Sequence, residues 1–262
     1  DEVITAVVHE DVQGVAVSSY QGGHLEYFRY LVERLRAEGC AHVRIFGGGG
    51  GVIIPSEIAE LESNGVTRIF SPEDGQRLGL AQMINSIVVA CDVDPVAEPV
   101  SDLTALMAGD ARALARVITA LELGRLDPAL VDQIRAAANA ATVPVLGITG
   151  TGGSGKSSLN DELVRRFRLD QEDKLRIAVL AVDPTRRRGG GALLGDRIRM
   201  NAIEPPQVMF RSLATRGATE LPTAIDDIIS ACKAAGCDLV IVETPGIGQG
   251  SAEIVEHVDV PI

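Results

Sequence analysis

Residues 143–158 read VPVLGITGTGGSGKSS and join a short apolar run to a glycine-rich segment. The run 143–149 has the composition of a buried strand, and residues 150–157 fit the pattern G-x-x-x-x-G-K-[ST]. Glycines let successive backbone N–H groups turn toward phosphate oxygens, and the N-terminus of a following helix adds a favourable dipole. In such a loop the lysine reaches the β- and γ-phosphates and the hydroxyl ligates Mg²⁺. The sequence therefore predicts a nucleotide-phosphate site centred on Lys156 and Ser157.

Two later apolar runs end in acidic residues. Residues 177–182, IAVLAV, precede Asp183, and residues 239–242, LVIV, precede Glu243, Thr244, Pro245 and Gly246. Parallel strands of an open sheet bring their carboxyl ends to one edge, where ligands bind. An acid there can anchor the shell of a metal ion, and the N–H of a following glycine can sense a γ-phosphate. Asp183 also precedes a proline, so a purely structural turn remains an alternative reading for it.

A loop rich in arginine and glycine separates these two runs. Residues 186–188 are arginines, residues 189–191 are glycines, and Asp196 and Arg199 follow. One interpretation is a solvated surface loop. The other is a switch segment that orders when nucleotide binds, with Asp196 near the metal or the attacking water and Arg199 near the phosphates. The sequence does not assign a role to the arginine run itself.

Strand and helix signals also alternate through residues 1–92. The chain opens on a helix with an apolar stripe, whereas such folds begin with a strand, so we expect a first strand and its loop to be missing here. We predict strands at 12–18, 42–46 and 65–70, and further helices at 55–63 and 72–90. This alternation is typical of a parallel sheet wound on both faces.

The fold class that follows is α/β, with two doubly wound parallel-sheet domains. We place the first at residues 1–92, a Pro-containing linker at 93–100, a helical segment with a break near 126–128 at 101–141, and the nucleotide-binding core at 142–262. In the helix after the phosphate loop, Leu159, Leu163, Val164 and Phe167 are predicted to lie on one face. We expect the first domain to be incomplete at its start and the second at its end.

Composition excludes several functional classes. The 262 residues carry a formal net charge of −12 with 3% aromatic residues and no Trp, which disfavours nucleic-acid binding. No apolar run reaches the roughly 18 residues of a membrane span, so we expect no membrane partner and a cytoplasmic protein. The cysteines and histidines are too scattered to predict a metal centre built from them.

Three motifs in order carry a resemblance to a known family: GTGGSGKSS (150–158), AVDPTRRRGGGALLGDRIRMN (181–201) and VETPGIGQ (242–249). They resemble the G-protein chaperones associated with methylmalonyl-CoA mutase, relatives of the metal-insertion GTPases. The resemblance implies GTP hydrolysis that gates cofactor delivery and protects a mutase. It implies phosphate and nucleotide contacts by Gly153, Ser154, Gly155, Lys156, Ser157, Ser158 and Arg199. It implies a Mg²⁺ site surrounded by Ser157, Asp183, Asp196, Glu243 and Thr244, with Lys156, Asp196 and Glu243 as the catalytic residues.

The N-terminal motifs SSYQGGH (18–24), FGGGGGVIIP (46–55) and IFSPEDG (69–75) resemble a flavodoxin-like cobalamin-binding domain of the mutase type. The resemblance implies that Ser18, Tyr20, Gly48 and Gly49 line the nucleotide tail of cobalamin, although Tyr20 stands where that family has Leu. The cobalt-ligating motif D-x-H-x-x-G of the family is absent from these residues.

The order of the two modules resembles the fused isobutyryl-CoA mutases. That family interconverts isobutyryl-CoA and n-butyryl-CoA with adenosylcobalamin, so we expect an internal fragment of such a chain. The implied partners are GTP or GDP, Mg²⁺, cobalamin, the acyl-CoA mutase domain of the same chain and a second copy in a homodimer. The chain has no [NT]-K-x-D motif, so GTP rather than ATP rests on the resemblance. The alternatives are a cobalamin-binding GTPase chaperone or regulator without mutase activity, a P-loop kinase and, with less support, a nickel-insertion GTPase.

Overall fold

The computed structural model describes residues 1–183, 195–203, 206–215, 221–246 and 253–262, with the side chains of 195 and 196 outside the description. The chain forms two compact units, Asp1–Ala97 and Glu98–Ile262. The boundary between the units falls inside the segment predicted as a linker. The arginine run at 186–188 and residues 247–249 of the third motif lie outside the described residues.

Unit 1 is built on a three-stranded parallel sheet in the order β1-β2-β3. Its elements are α1 (Glu2–Glu10), β1 (Gly14–Ser18), α2 (His24–Ala37), β2 (Arg44–Gly48), α3 (Pro55–Ser63), β3 (Arg68–Phe70) and α4 (Pro72–Cys91). The register pairs Ser18 with Gly48, and Gly48 with Phe70, so the three strands end at the same edge. Phe28, Leu31 and Leu61 are buried in the core of this unit.

Unit 2 contains a five-stranded parallel sheet in the order β6-β5-β7-β4-β8. Its helices are α5 (Thr104–Met107), α6 (Ala111–Glu122), α7 (Pro128–Asn139), α8 (Lys156–Asp170), α9 (Gly195–Arg199), α10 (Ile225–Ala234) and a 3₁₀ turn at Glu253–Glu256. Its strands are β4 (Val145–Ile148), β5 (Ile177–Asp183), β6 (Val208–Ala214), β7 (Leu239–Glu243) and β8 (Val260–Pro261). The α/β class with parallel sheets is therefore confirmed.

The central strands of unit 2 set the position of its acidic residues. Every residue of β5 and β7 is buried, which explains why both read as uninterrupted apolar runs. The register pairs Ile148 and Ala181 with Glu243. Asp183 and Glu243 therefore end their strands at the edge where β4 leads into the glycine-rich loop.

The predicted strands are present, with ends that differ from the prediction by no more than three residues. The helical segment 101–141, predicted with one break near 126–128, contains three helices, because a second break follows Met107. The apolar residues predicted to lie on one face of α8 are not equally buried. Leu159 is 46% exposed, whereas Asn160 is 0% exposed and lies on the same face as Val164, four residues later. No helix in the described part of the chain is both long and apolar enough to cross a membrane.

Candidate nucleotide-binding site

The loop between β4 and α8 owes its shape to glycine. Gly153 and Gly155 adopt φ values of 79° and 93°, a region that side chains with a Cβ rarely occupy. The Lys156 Nζ donates hydrogen bonds to the carbonyl oxygens of Gly150 at 2.9 Å and Thr151 at 3.1 Å. The ammonium group therefore lies across the loop and binds its carbonyl groups.

A cleft of about 410 Å³ opens over this loop, within the roughly 300–1,000 Å³ typical of small-molecule sites. The loop and the start of α8 contribute Gly153, Gly155, Lys156, Ser157 and Ser158 to its lining. The facing elements contribute Asp183, Glu243, Thr244 and Arg199. Of the predicted nucleotide and metal residues, Ser154 does not line the cleft, and the side chain of Asp196 lies outside the described residues.

Glu243 is held by two donors from α8. The Ser157 hydroxyl donates to its Oε1 at 2.6 Å, and the Asn160 amide Nδ2 donates to its Oε2 at 2.9 Å. The glutamate is 5% exposed and Asn160 is fully buried. The serine of the phosphate loop and the acid that ends β7, 86 residues apart in sequence, are thus joined directly. Sequence reasoning did not include Asn160, although its spacing from Val164 places it on the buried face.

Thr244 and Gly246 bring the segment after β7 close to the phosphate loop. The Thr244 hydroxyl lies 3.1 Å from Thr149 Oγ1 and 3.4 Å from the Ile148 carbonyl oxygen and can donate its proton to either, so it ties β7 to the end of β4. A Cβ on Gly246 would lie 2.8 Å from the Gly152 Cα, closer than a real side chain tolerates. Glycine is therefore needed at 246 for this close approach.

The oxygen donors in the cleft suit Mg²⁺. Asp183 is 8% exposed at the end of β5 and lines the same cleft as Ser157 and Glu243. Carboxylate and hydroxyl oxygens are ligands that Mg²⁺ prefers, and the ion commonly takes only one or two protein ligands beside phosphates and water. This donor set fits the predicted ion.

In unit 1, the structure brings the predicted cobalamin residues to one edge of the sheet. The Ser19 N–H donates to the Gly48 carbonyl at 2.8 Å, and any Cβ on Gly49 would overlap the Ser19 carbonyl group. Tyr20 is 71% exposed, and its ring lies next to Gly50. The loop after β1 and the loop after β2 are therefore in direct contact.

A histidine–glutamate pair lies near the same edge and was not singled out from sequence. The His24 Nε2 lies 3.0 Å from Glu57 Oε2, which also accepts a 3.0 Å hydrogen bond from the Ile54 N–H. The hydrogen bond from Ile54, followed by that from His24, holds the pKa of the Glu57 carboxyl below its ordinary value. The pair links the first turns of α2 and α3.

The strand–loop–helix of unit 2, with its lysine, its serine and a facing carboxylate, defines a nucleotide-binding protein of the phosphate-loop class. Residues 114–262 match the family described as methylmalonyl-CoA mutase-associated GTPase MeaB, and the chain belongs to this family.

The whole chain is also similar to longer curated proteins. It is 68% identical to the fused isobutyryl-CoA mutase of Nocardia farcinica, with 99% of this chain and 24% of that protein covered. It is 62% identical to the fused isobutyryl-CoA mutase of Cupriavidus metallidurans, with 100% and 24% covered. The corresponding protein of Geobacillus kaustophilus is 55% identical, with 99% and 25% covered. The chain thus spans about a quarter of the length of these relatives, and the expected resemblance to them is confirmed.

Proposed function

We propose that unit 2 binds and hydrolyses GTP in the cleft over the phosphate loop. The observation that carries the proposal is the hydrogen bond between Ser157 and Glu243, because it joins the two motifs that a metal–nucleotide site requires. Membership of a GTPase family supports GTP as the nucleotide. Gly153, Gly155 and Ser158, which line the cleft, hold phosphate oxygens through backbone N–H groups and a hydroxyl, and Arg199 adds positive charge.

The chain's own groups divide the work of phosphoryl transfer. Lys156 leaves the carbonyl groups of Gly150 and Thr151 and turns to the β- and γ-phosphates, where its charge stabilises the transition state. The residues that would hold Mg²⁺, directly or through water, are Ser157, Asp183, Glu243, Thr244 and Asp196. When bound, the ion would neutralise negative charge on the phosphates. We assign Glu243 and Asp196 to orienting the water that attacks the γ-phosphate.

Lys156→Ala in the full-length protein tests this proposal. We expect GTP turnover to fall by at least about 1,000-fold, since the variant loses the cation that faces the transferred phosphoryl group. Cobalamin binding, measured by absorbance titration, should stay within about twofold, because Lys156 belongs to unit 2.

Lys174→Ala is the matched control for this test, because Lys174 is exposed and pairs with Glu172 outside the cleft. Undiminished GTP turnover in Lys156→Ala would contradict the proposal that residues 150–157 form the nucleotide-phosphate site.

We further propose that unit 1 is a flavodoxin-like cobalamin-binding domain and that unit 2 is a doubly wound GTPase domain. In this proposal the full-length protein is an adenosylcobalamin-dependent mutase that converts isobutyryl-CoA to n-butyryl-CoA. Identity of 68% over 259 residues to a fused isobutyryl-CoA mutase supports it, since both units fall within the matched length. Ser18, Tyr20, Gly48 and Gly49 are the proposed contacts to the corrin nucleotide tail.

GTP hydrolysis in unit 2 then gates cofactor loading and protects the mutase domain of the same chain. A cytoplasmic homodimer is the assembly that we propose for the intact protein.

A further inference from the structure

Asn160 is a polar side chain at a buried position where an aliphatic side chain would be more stable. It is 0% exposed and lies on the face of α8 that carries Val164, which is also 0% exposed and belongs to the core of unit 2. Among the described residues its Oδ1 has no hydrogen-bond partner. A buried amide whose carbonyl oxygen has no hydrogen-bond partner costs stability relative to an aliphatic residue. Packing alone therefore does not account for an asparagine here.

The amide instead acts on Glu243. Asn160 Nδ2 donates to Oε2 at 2.9 Å while the Ser157 hydroxyl donates to Oε1 at 2.6 Å, so each oxygen of the carboxylate has its own donor. The terminal torsion of glutamate is broad and roughly two-fold, which leaves the carboxylate plane free to turn unless both oxygens are held. Because a carboxylate only accepts hydrogen bonds, the Nδ2 of Asn160 must face it.

We propose that Asn160 is a positioning residue that fixes the plane of the Glu243 carboxylate, so that Oε1 faces the phosphate-loop serine and the Mg²⁺ that it holds. The inference rests on the proposed GTPase function. Asn160 lies three residues after Ser157 on one helix, so both donors come from a single rigid element. The two donors fix the carboxylate before nucleotide or metal arrives, so Glu243 already has the orientation that metal binding requires.

The test uses the full-length protein and a fluorescent GDP analogue. The affinity of the protein for this analogue is measured as Mg²⁺ is added, because bound Mg²⁺ is expected to raise that affinity. In Asn160→Ala we expect the half-saturating Mg²⁺ concentration to rise about 10-fold, as is common when a partner of a metal-site residue is lost. The GDP affinity in EDTA should stay within about twofold of that of the unmodified protein. A mere loss of packing is not expected to weaken Mg²⁺ binding while leaving the GDP affinity unchanged.

Asn160→Asp keeps the size of the side chain and places a carboxylate against Glu243, so it should raise the Mg²⁺ requirement further than Asn160→Ala. It serves as the second variant if the alanine variant fails to fold. In the Glu243→Ala background, Asn160→Ala should add less than about twofold, because a residue acting through Glu243 has nothing left to position. An equal effect in both backgrounds would overturn the proposal.

Val164→Ala is the matched structural control, since Val164 is equally buried on the same face of α8. It should lower the thermal midpoint and leave the Mg²⁺ requirement unchanged. If Lys156→Ala leaves GDP binding intact, the proposed function fails. If Lys156→Ala weakens GDP binding and neither Asn160 variant shifts the Mg²⁺ requirement, only the positioning role fails.

Discussion

Two carboxylates, Asp183 and Glu243, end neighbouring parallel strands and line the cleft over the phosphate loop. Both are nearly buried, with 8% and 5% of their surfaces exposed. Burial of two acids at one edge is unfavourable unless hydrogen bonds or a cation compensate for the lost hydration. Glu243 has its two donors from α8, and a divalent cation between phosphate and protein would serve both acids.

Removing either charge should therefore weaken Mg²⁺ binding rather than lower the stability of the fold. We expect Asp183→Asn and Glu243→Gln each to raise the Mg²⁺ concentration for half-maximal GTP hydrolysis by about 10-fold or more. The measurement is GTP turnover of the full-length protein against free Mg²⁺. Glu172→Gln is the control, because that carboxylate is exposed beside Lys174 and does not line the cleft. An unchanged Mg²⁺ requirement in both cleft variants would count against the metal site.

At the scale of elements, strand β6 is one that the periodicity of apolar residues did not predict. Its sequence VMFRSLA has an arginine at its centre, so we did not predict a strand there, yet all seven residues are buried. The Arg211 Nη2 donates to Glu122 Oε2 at 2.8 Å and to Thr119 Oγ1 at 3.0 Å, both on α6. The charge is tolerated because residues 89 and 92 positions earlier in the chain supply acceptors. Local sequence carries no signal for such a distant partner.

This contact makes α6 and β6 interdependent. Glu122→Gln removes one charged partner of a buried guanidinium and should destabilise the contact by about 3 kcal/mol. We expect faster hydrogen–deuterium exchange in peptides from β6 and α6, with little change in unit 1. The double variant Glu122→Leu with Arg211→Met should recover much of the protection, because apolar residues of similar size satisfy the same space. Unchanged exchange in Glu122→Gln would mean that the ion pair adds nothing to this contact.

The helix α8 and its flanking strands were predictable for a different reason. Residues 145–148, the glycine loop and Lys156 form a local pattern whose physical demands are met by neighbours in sequence. The hydrogen bond between Ser157 and Glu243 follows from sheet topology. The sequence motifs predict both residues around one metal ion, but they do not predict this bond. Asn160 escaped notice because a polar residue on an apolar face carries meaning only once the strand opposite is known.

At the scale of the whole molecule, each unit has its own sheet, and the proposed sites lie at the carboxyl ends of those sheets. The boundary lies between Ala97 and Glu98. On one side, the Ala97 N–H donates to the Asp94 carbonyl at 3.2 Å, and on the other the Glu98 carbonyl accepts a hydrogen bond from Arg116 at 2.5 Å. Hydrogen bonds within each unit therefore hold both sides of the joint. If GTP hydrolysis in unit 2 gates cofactor loading in unit 1, the chain segment at this boundary is a candidate for coupling the two events.

A ten-residue Gly/Ser insertion between Ala97 and Glu98 of the full-length protein tests that coupling. GTP hydrolysis, and isobutyryl-CoA isomerisation at saturating adenosylcobalamin, should each stay within about twofold, because no strand of either sheet crosses the boundary. The dependence of cobalamin loading on GTP should fall, since a flexible spacer lowers the effective concentration of one unit at the other.

The same insertion between Glu172 and Asp173, in the exposed turn between α8 and β5, is the control and should leave loading unchanged. Intact gating with the linker insertion would place the coupling elsewhere in the chain. Loss of GTP hydrolysis would show that unit 2 depends on the natural connection for its fold. Absence of isomerisation even in the unmodified protein would favour a GTPase chaperone or regulator without mutase activity over the fused mutase.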